Sequence, residues 1–246
     1  MKLAFDSDGG FRQRAALGLI VLQADETVEP EFRGLVDLAG VVLYHSRVPS
    51  GADVTPESLA AMQAEIPAAA RLLPPTAALD VIGYACTSGA TVIGEAAVAA
   101  AIRAVRPEVA TSDPLTAAKA AFRVLGLRRL GFVTPYVAEV SAAMRRNLEA
   151  AGLEITAFGS FEESEEAVVA RIAPASVLEA IVRVGGAPDC EAVFASCTNL
   201  RATGVIAEAE ARLGKPVVTS NQAMFWQALR TAGCDAAVPG FGRLLQ

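Results

Sequence analysis

The sequence predicts an α/β protein of two pseudo-symmetric, Rossmann-like lobes. Each is a short parallel sheet flanked by helices, with the active site in the cleft between them. Three observations lead there. Short apolar runs alternate with helical patterns of about 10–15 residues, as crossover connections between parallel strands require. Three anchors recur in order: 17–21 (Leu-Gly-Leu-Ile-Val) against 130–134 (Leu-Gly-Phe-Val-Thr) at an offset of 113, the run ending at Cys86 against that ending at Cys197 at 111, and 109–113 (Val-Ala-Thr-Ser-Asp) against 217–221 (Val-Val-Thr-Ser-Asn) at 108. Both middle anchors end in Cys-Thr. That puts a thiol at the carboxyl end of a strand, where open parallel sheets bind ligands. The repeat divides the chain into a first lobe of 15–114 plus 222–246, a second of 115–221, and an N-terminal arm of 1–14.

In order, 17–22 reads as a buried strand, and 23–30 as a polar loop entering a helix through Arg33. A second strand spans 41–48 and is broken by Pro49-Ser50-Gly51. Thr55-Pro56-Glu57-Ser58 is a helix start, with Thr as N-cap and Pro at the first helical position; Pro67 kinks that helix or starts a second piece. The strand 79–85 ends at Cys86, an Ala-rich helix covers 94–105, a short strand leads to Asp113-Pro114, and a helix runs to Gly126. The second half repeats this: strand 130–134, helix 141–151, strand 153–158, an acidic loop 162–166, helix 175–184, the strand to Cys197, a helix through Arg212, strand 217–219 and a last helix.

The 246 residues are 53% hydrophobic with a mean hydropathy of +0.40, which fits helices packed on buried parallel sheets. No apolar stretch reaches the ~18 residues of a membrane span, and the N-terminus lacks the apolar core of a signal peptide. A net charge of −6 without basic runs argues against nucleic acid as a partner. Four cysteines without a secretion signal point to reduced thiols in a cytoplasm. One His and no Cys-x-x-Cys pair argue against a metal site. The apolar composition allows a homo-oligomer, a dimer or higher.

Cys86 and Cys197 are the candidate catalytic residues. Flanking a small acid, one thiolate removes a proton from the carbon beside a carboxylate while the opposite thiol returns one to the other face. Alternatively, one thiolate adds to an activated double bond and the other thiol protonates the product. One thiol must ionise, and helix N-termini or hydrogen-bond donors lower a thiol's pKa. Thr87, Ser88, Thr198 and Asn199 follow the thiols and offer such donors at a helix start, where they also cradle a carboxylate. Read blandly, the thiols are core and the hydroxyls are N-caps.

The duplicated halves and paired Cys-Thr motifs resemble the aspartate/glutamate racemase superfamily, in the branch of maleate cis–trans isomerase and arylmalonate decarboxylase. The similarity extends over 15–235 and includes Glu29-Pro30-Glu31-Phe32, Thr134-Pro135-Tyr136 and Val169-Ala170-Arg171-Ile172-Ala173-Pro174. Tyr44-His45-Ser46-Arg47-Val48-Pro49 and Gly83-Tyr84-Ala85-Cys86-Thr87-Ser88-Gly89 are most similar to proteins associated with ectoine breakdown. The resemblance implies no metal and no organic cofactor, Cys86 as nucleophile or base, Cys197 as the opposite acid, and Tyr136 as donor to a substrate carboxylate. The decarboxylase branch relies on one thiol, in the second half; two favour isomerase or racemase chemistry.

Two departures bear on the substrate. Asp25 stands where maleate isomerases carry an Asn, and Glu165-Glu166 stands near the other family Asn. An anionic Asp25 repels a dicarboxylate and pairs with an ammonium group; otherwise it only caps a helix. The expectation is therefore a cofactor-independent racemase or isomerase of a small carboxylic acid, an amino acid or N-acyl diamino acid being favoured. The alternatives are a maleate isomerase, a malonate-type decarboxylase, or a catalytically silent small-acid binding protein. Cys190, Cys234 and His45 read as structural, Phe225 and Trp226 as packing, and the acidic run 162–166 as a solvated helix start.

Overall fold

The computed structural model of the chain describes residues 1–8 and 10–246; of the N-terminal arm, residue 9 lies outside the described residues. The first half runs β1 (Ala15–Leu22), α1 (Val28–Leu35), β2 (Val41–Val48), α2 (Pro56–Ala61), α3 (Ile66–Leu72), β3 (Val81–Ala85), α4 (Thr87–Ile93), α5 (Glu95–Arg103), β4 (Ala110–Ser112) and α6 (Pro114–Leu125). The second runs β5 (Arg129–Thr134), α7 (Ala138–Ala150), β6 (Glu154–Ser160), α8 (Glu166–Val169), α9 (Pro174–Gly185), β7 (Ala192–Ala195), α10 (Ile206–Leu213), β8 (Val217–Thr219) and α11 (Ser220–Thr231).

Both sheets are parallel, ordered β2-β1-β3-β4 and β6-β5-β7-β8. The sequence repeat is thus a repeat of topology. In each sheet the strand order reverses between the first and third strands of the half, and such a switch point opens a crevice at the carboxyl edge. The segments leaving β1 and β3 carry Asp25 and Cys86; those leaving β5 and β7 carry Tyr136 and Cys197. Every residue of β1 is buried, as a strand covered on both faces requires.

The last helix of each half packs against the other half. Phe122 of α6 meets Phe194 of β7 edge-on, with ring centroids 6.0 Å apart. Phe225 of α11 meets Phe32 of α1 in the same way at 5.7 Å. Such pairs add about 0.5–1.5 kcal/mol beyond their area burial, so the halves share apolar core.

Local signals act as their chemistry dictates. The Thr55 hydroxyl accepts the Ser58 N–H at 3.2 Å and the Ser58 hydroxyl accepts the Thr55 N–H at 3.1 Å, closing a capping box at the start of α2. Pro67 starts a second piece, α3, where its missing N–H costs nothing. Two expectations are corrected. The helix after Cys86 begins at once, as α4, and breaks at Gly94, whose φ of +91° ends it before α5. After Cys197 there is no helix: the chain turns through 198–200, makes a 3₁₀ turn (Thr203–Val205), and only then enters α10. No helix among the described residues is long and apolar enough to cross a membrane.

Candidate active site

Cys86 is the N-cap of α4 and is 3% exposed. Its Sγ accepts the Gly89 N–H at 3.1 Å and lies 3.5 Å from Ser88 Oγ. Gly89 is needed for this approach: a Cβ there would stand 3.0 Å from the sulfur and 2.6 Å from the Tyr84 hydroxyl. Cys197, 4% exposed, reaches a comparable place without a helix. Its sulfur accepts the Asn199 N–H at 3.3 Å, and its own N–H donates to Ser220 Oγ at 3.1 Å. The Tyr136 hydroxyl lies beside the Cys197 sulfur and feels the charge of both thiols. The structure therefore brings Cys86, Cys197 and Tyr136 into one buried cluster.

The residues after each thiol are already engaged. The Thr87 hydroxyl shares a hydrogen with Ser220 at 2.9 Å, and the Thr198 hydroxyl donates to the Ala85 carbonyl at 3.2 Å. Each Cys-Thr motif thus uses its threonine to stitch its half to the other. Asn199 is a hub. Its Nδ2 donates to Glu166 Oε2 at 2.7 Å and to the Glu166 carbonyl at 3.0 Å. Its Oδ1 accepts the Glu26 N–H at 3.0 Å, and its carbonyl accepts the Thr27 hydroxyl at 2.9 Å. Among the candidate binding residues, Ser88 and Tyr136 have hydroxyls directed at the thiols.

Asp25 does cap a helix. Its Oδ1 accepts the Thr27 and Val28 N–H groups, both at 2.8 Å, at the start of α1. Its Oδ2 is buried with no hydrogen-bond partner among the described residues, and the residue is 4% exposed. The acidic run is not uniformly solvated: Glu166 turns inward and is 6% exposed. The segment around Ala52 holds it there, since the Glu166 N–H donates to the Ala52 carbonyl at 3.1 Å and the Val54 N–H to the Ser164 carbonyl at 3.0 Å.

Burial raises the Asp25 and Glu166 carboxyls above the ordinary carboxylate range, because a charge there lacks water. The thiols move the same way. Burial, then the Glu166 and Asp25 charges, outweigh the donors from Ser88 and Gly89, and Cys86 is pushed up to about 12. Cys197 is also raised, by burial and by Glu166, against the opposing pull of Tyr136 and Asn199. Around both thiols, loss of water and the two acids outweigh the hydrogen-bond donors.

Sequence reasoning left Glu166 undecided and missed Ser220 and Tyr84. Ser220 carried a signal, since it lies inside the third repeated anchor; Tyr84 precedes Cys86 by two residues and its hydroxyl folds back toward Gly89.

Residues 17–245 match the arylmalonate decarboxylase family. The arylmalonate decarboxylase of Bordetella bronchiseptica is 35% identical over 228 residues, covering 88% of this chain and 94% of that protein. The maleate isomerase Iso from Pseudomonas putida S16 superposes with a TM-score of 0.84 at 27% identity, covering 94% of this chain and 98% of its own. A Nocardia farcinica maleate cis–trans isomerase, solved as a cysteine-to-serine mutant with a covalently bound succinylcysteine intermediate, superposes at 0.85 with 27% identity and the same coverage. On the strength of the family match over nearly its whole length, the chain belongs to the arylmalonate decarboxylase family.

Proposed function

We propose that the protein is a cofactor-independent isomerase, of racemase type, acting on a small carboxylic acid that carries a positively charged nitrogen: an amino acid or an N-acyl diamino acid. Cys86 and Cys197 serve as base and acid on opposite faces of the reacting carbon. The thiolate takes the α-proton, the electron pair is held as an enolate-like carboxylate, and the opposite thiol delivers its proton to the other face. Tyr136 and Ser88 donate to the carboxylate. Thr87, Thr198 and Asn199 hold the frame around it.

The observation that carries this reading is the pair of buried acids. Asp25 Oδ2 accepts no hydrogen bond among the described residues, the Thr198 hydroxyl beside it being turned to the Ala85 carbonyl, and the Glu166 charge acts on the same two thiols. A buried unpaired acceptor costs about 1–3 kcal/mol, which an ammonium group offsets by hydrogen bonding. The same positive charge also answers the thiol problem. It lowers the cost of a thiolate beside two carboxyls, so substrate entry itself ionises the base. A second carboxylate with no ammonium group, as in maleate, would add a charge of the wrong sign.

A specific observation favours a second reading. The 35% identity to an arylmalonate decarboxylase makes decarboxylation of a malonate-type acid the alternative. Proton NMR in D₂O on a panel tests both: aspartate, glutamate, diaminobutyrate and its N-acetyl forms, maleate, and an arylmalonate. Deuterium entering the α-carbon of an ammonium-bearing acid supports the proposal. Conversion of maleate to fumarate alone would sink the acid-pair argument, and loss of CO₂ from the arylmalonate alone would establish the decarboxylase.

A further inference from the structure

The two thiols are held by different means. Cys86 is set by its own helix, through the Gly89 N–H at 3.1 Å. Cys197 has no helix after it, so the backbone groups that follow lack intrahelical partners and must find others. They find them in the other half. Glu31 of α1 reaches across, and its Oε1 accepts the Ala202 N–H at 2.8 Å and the Thr203 N–H at 2.9 Å. Its Oε2 accepts from Asn221 Nδ2 at 2.7 Å. That same Nδ2 donates its second hydrogen to the carbonyl of Thr198, the residue after the thiol, at 2.8 Å. One carboxylate thus grips the loop at 202–203 directly and at 198 through Asn221.

We propose that Glu31 is a positioning residue that sets the place of Cys197. It never touches the reacting atoms. Three charge-assisted bonds from an inward-turned carboxylate do for the second thiol what the α4 turn does for the first. The position of Cys197 then depends on α1 of the first half, whereas that of Cys86 does not. This rests on the reading of Cys197 as a reacting thiol, but its test measures the thiol's position and needs no substrate.

The test is iodoacetamide labelling of the native full chain, read by peptide mass spectrometry as the ratio of Cys197 to Cys86 rates. A buried thiol reacts only when its surroundings open locally. Glu31→Ala frees the 197–203 loop, and the ratio is expected to rise about tenfold, from the loss of hydrogen bonds to a charged group. Glu31→Gln keeps one oxygen for the Ala202 and Thr203 N–H groups, and the expected rise is smaller, about threefold. Should the Ala variant fail to fold by circular dichroism, the Gln variant decides alone. A ratio within about twofold of wild type overturns the proposal. So does an equal rise at both thiols, which would mean that Glu31 only stabilises the protein as a whole.

Discussion

The hydroxyls of Thr87 and Ser220 stand 2.9 Å apart across the interface between the two halves. The Ser220 oxygen also accepts the Cys197 N–H at 3.1 Å. The residue after one thiol is therefore joined, through a single oxygen, to the backbone of the other. Separation of the thiols is set by this bridge and by its counterpart, Thr198 to the Ala85 carbonyl, rather than by either lobe alone.

Ser220→Ala removes that oxygen and leaves the buried Cys197 N–H without an acceptor. The expected cost is about 1–3 kcal/mol, seen as a lower urea midpoint at unchanged slope. A change within about 0.5 kcal/mol, the range of neutral surface substitutions, would show that the bridge contributes nothing.

Gly89→Ala sets two effects against each other. Helix propensity in α4 favours Ala by about 1 kcal/mol. The new methyl would stand 2.6 Å from the Tyr84 hydroxyl and 3.0 Å from Cys86 Sγ, and overpacking of this kind costs about 1–3 kcal/mol. Net destabilisation with altered Cys86 alkylation is expected; a variant more stable than wild type would contradict the packing described.

Asp25→Asn retains an oxygen for the Thr27 and Val28 N–H groups, so α1 stays capped. Glu166→Gln likewise retains an acceptor for Asn199. Both remove a charge that raises the thiols. The alkylation profiles of Cys86 and Cys197 are expected to shift to lower pH in each variant, and activity on ammonium-bearing acids to fall by about tenfold or more. Profiles that move to higher pH would place the carboxyls elsewhere in the electrostatics of the site.

Three buried carboxyls, Asp25, Asp113 and Glu166, and the half-buried Glu31 are raised by loss of water in the folded chain. The native state then holds protons that the unfolded state releases. Their contribution to stability is fully present below the ordinary carboxylate range and is lost as pH rises through the raised values. Asp25→Asn is therefore expected to reduce the loss of thermal stability as pH rises above the ordinary carboxylate range, while His45, lowered by burial, acts in the opposite sense as pH falls through the imidazole range. Glu191, lowered to about 2 by the Arg128 and Arg129 N–H groups, also acts oppositely to the raised carboxyls, its contribution being lost only as pH falls toward that value. An Asp25→Asn variant whose thermal midpoint falls with rising pH as steeply as that of wild type would contradict this reading of Asp25.

Much of the frame is legible in the sequence because it is written locally. Apolar runs set the strands, Cys-Thr repeated at 111 residues marks both carboxyl edges, and Thr55-Pro56 starts its helix. What the sequence hides is decided at long range. Glu166 belongs to an acidic run that reads as solvated; it turns inward because Asn199 and the Ala52 segment take its polar groups. The loop after Cys197 reads as a helix start like that after Cys86. It stays unwound with partners that lie about 170 residues away in sequence, Thr27 and Glu31, and no periodicity records such a contact.

In the proposed reaction two thiols on opposite faces move one proton each. Deuterium incorporation into the α-carbon of the accepted substrate, followed by proton NMR in D₂O for wild type, Cys86→Ser and Cys197→Ser, tests it most directly. Exchange with inversion is expected in wild type, and none of that inversion in either single variant. Undiminished inversion in either variant would contradict it, because a chemistry that survives the loss of one thiol does not run on the pair.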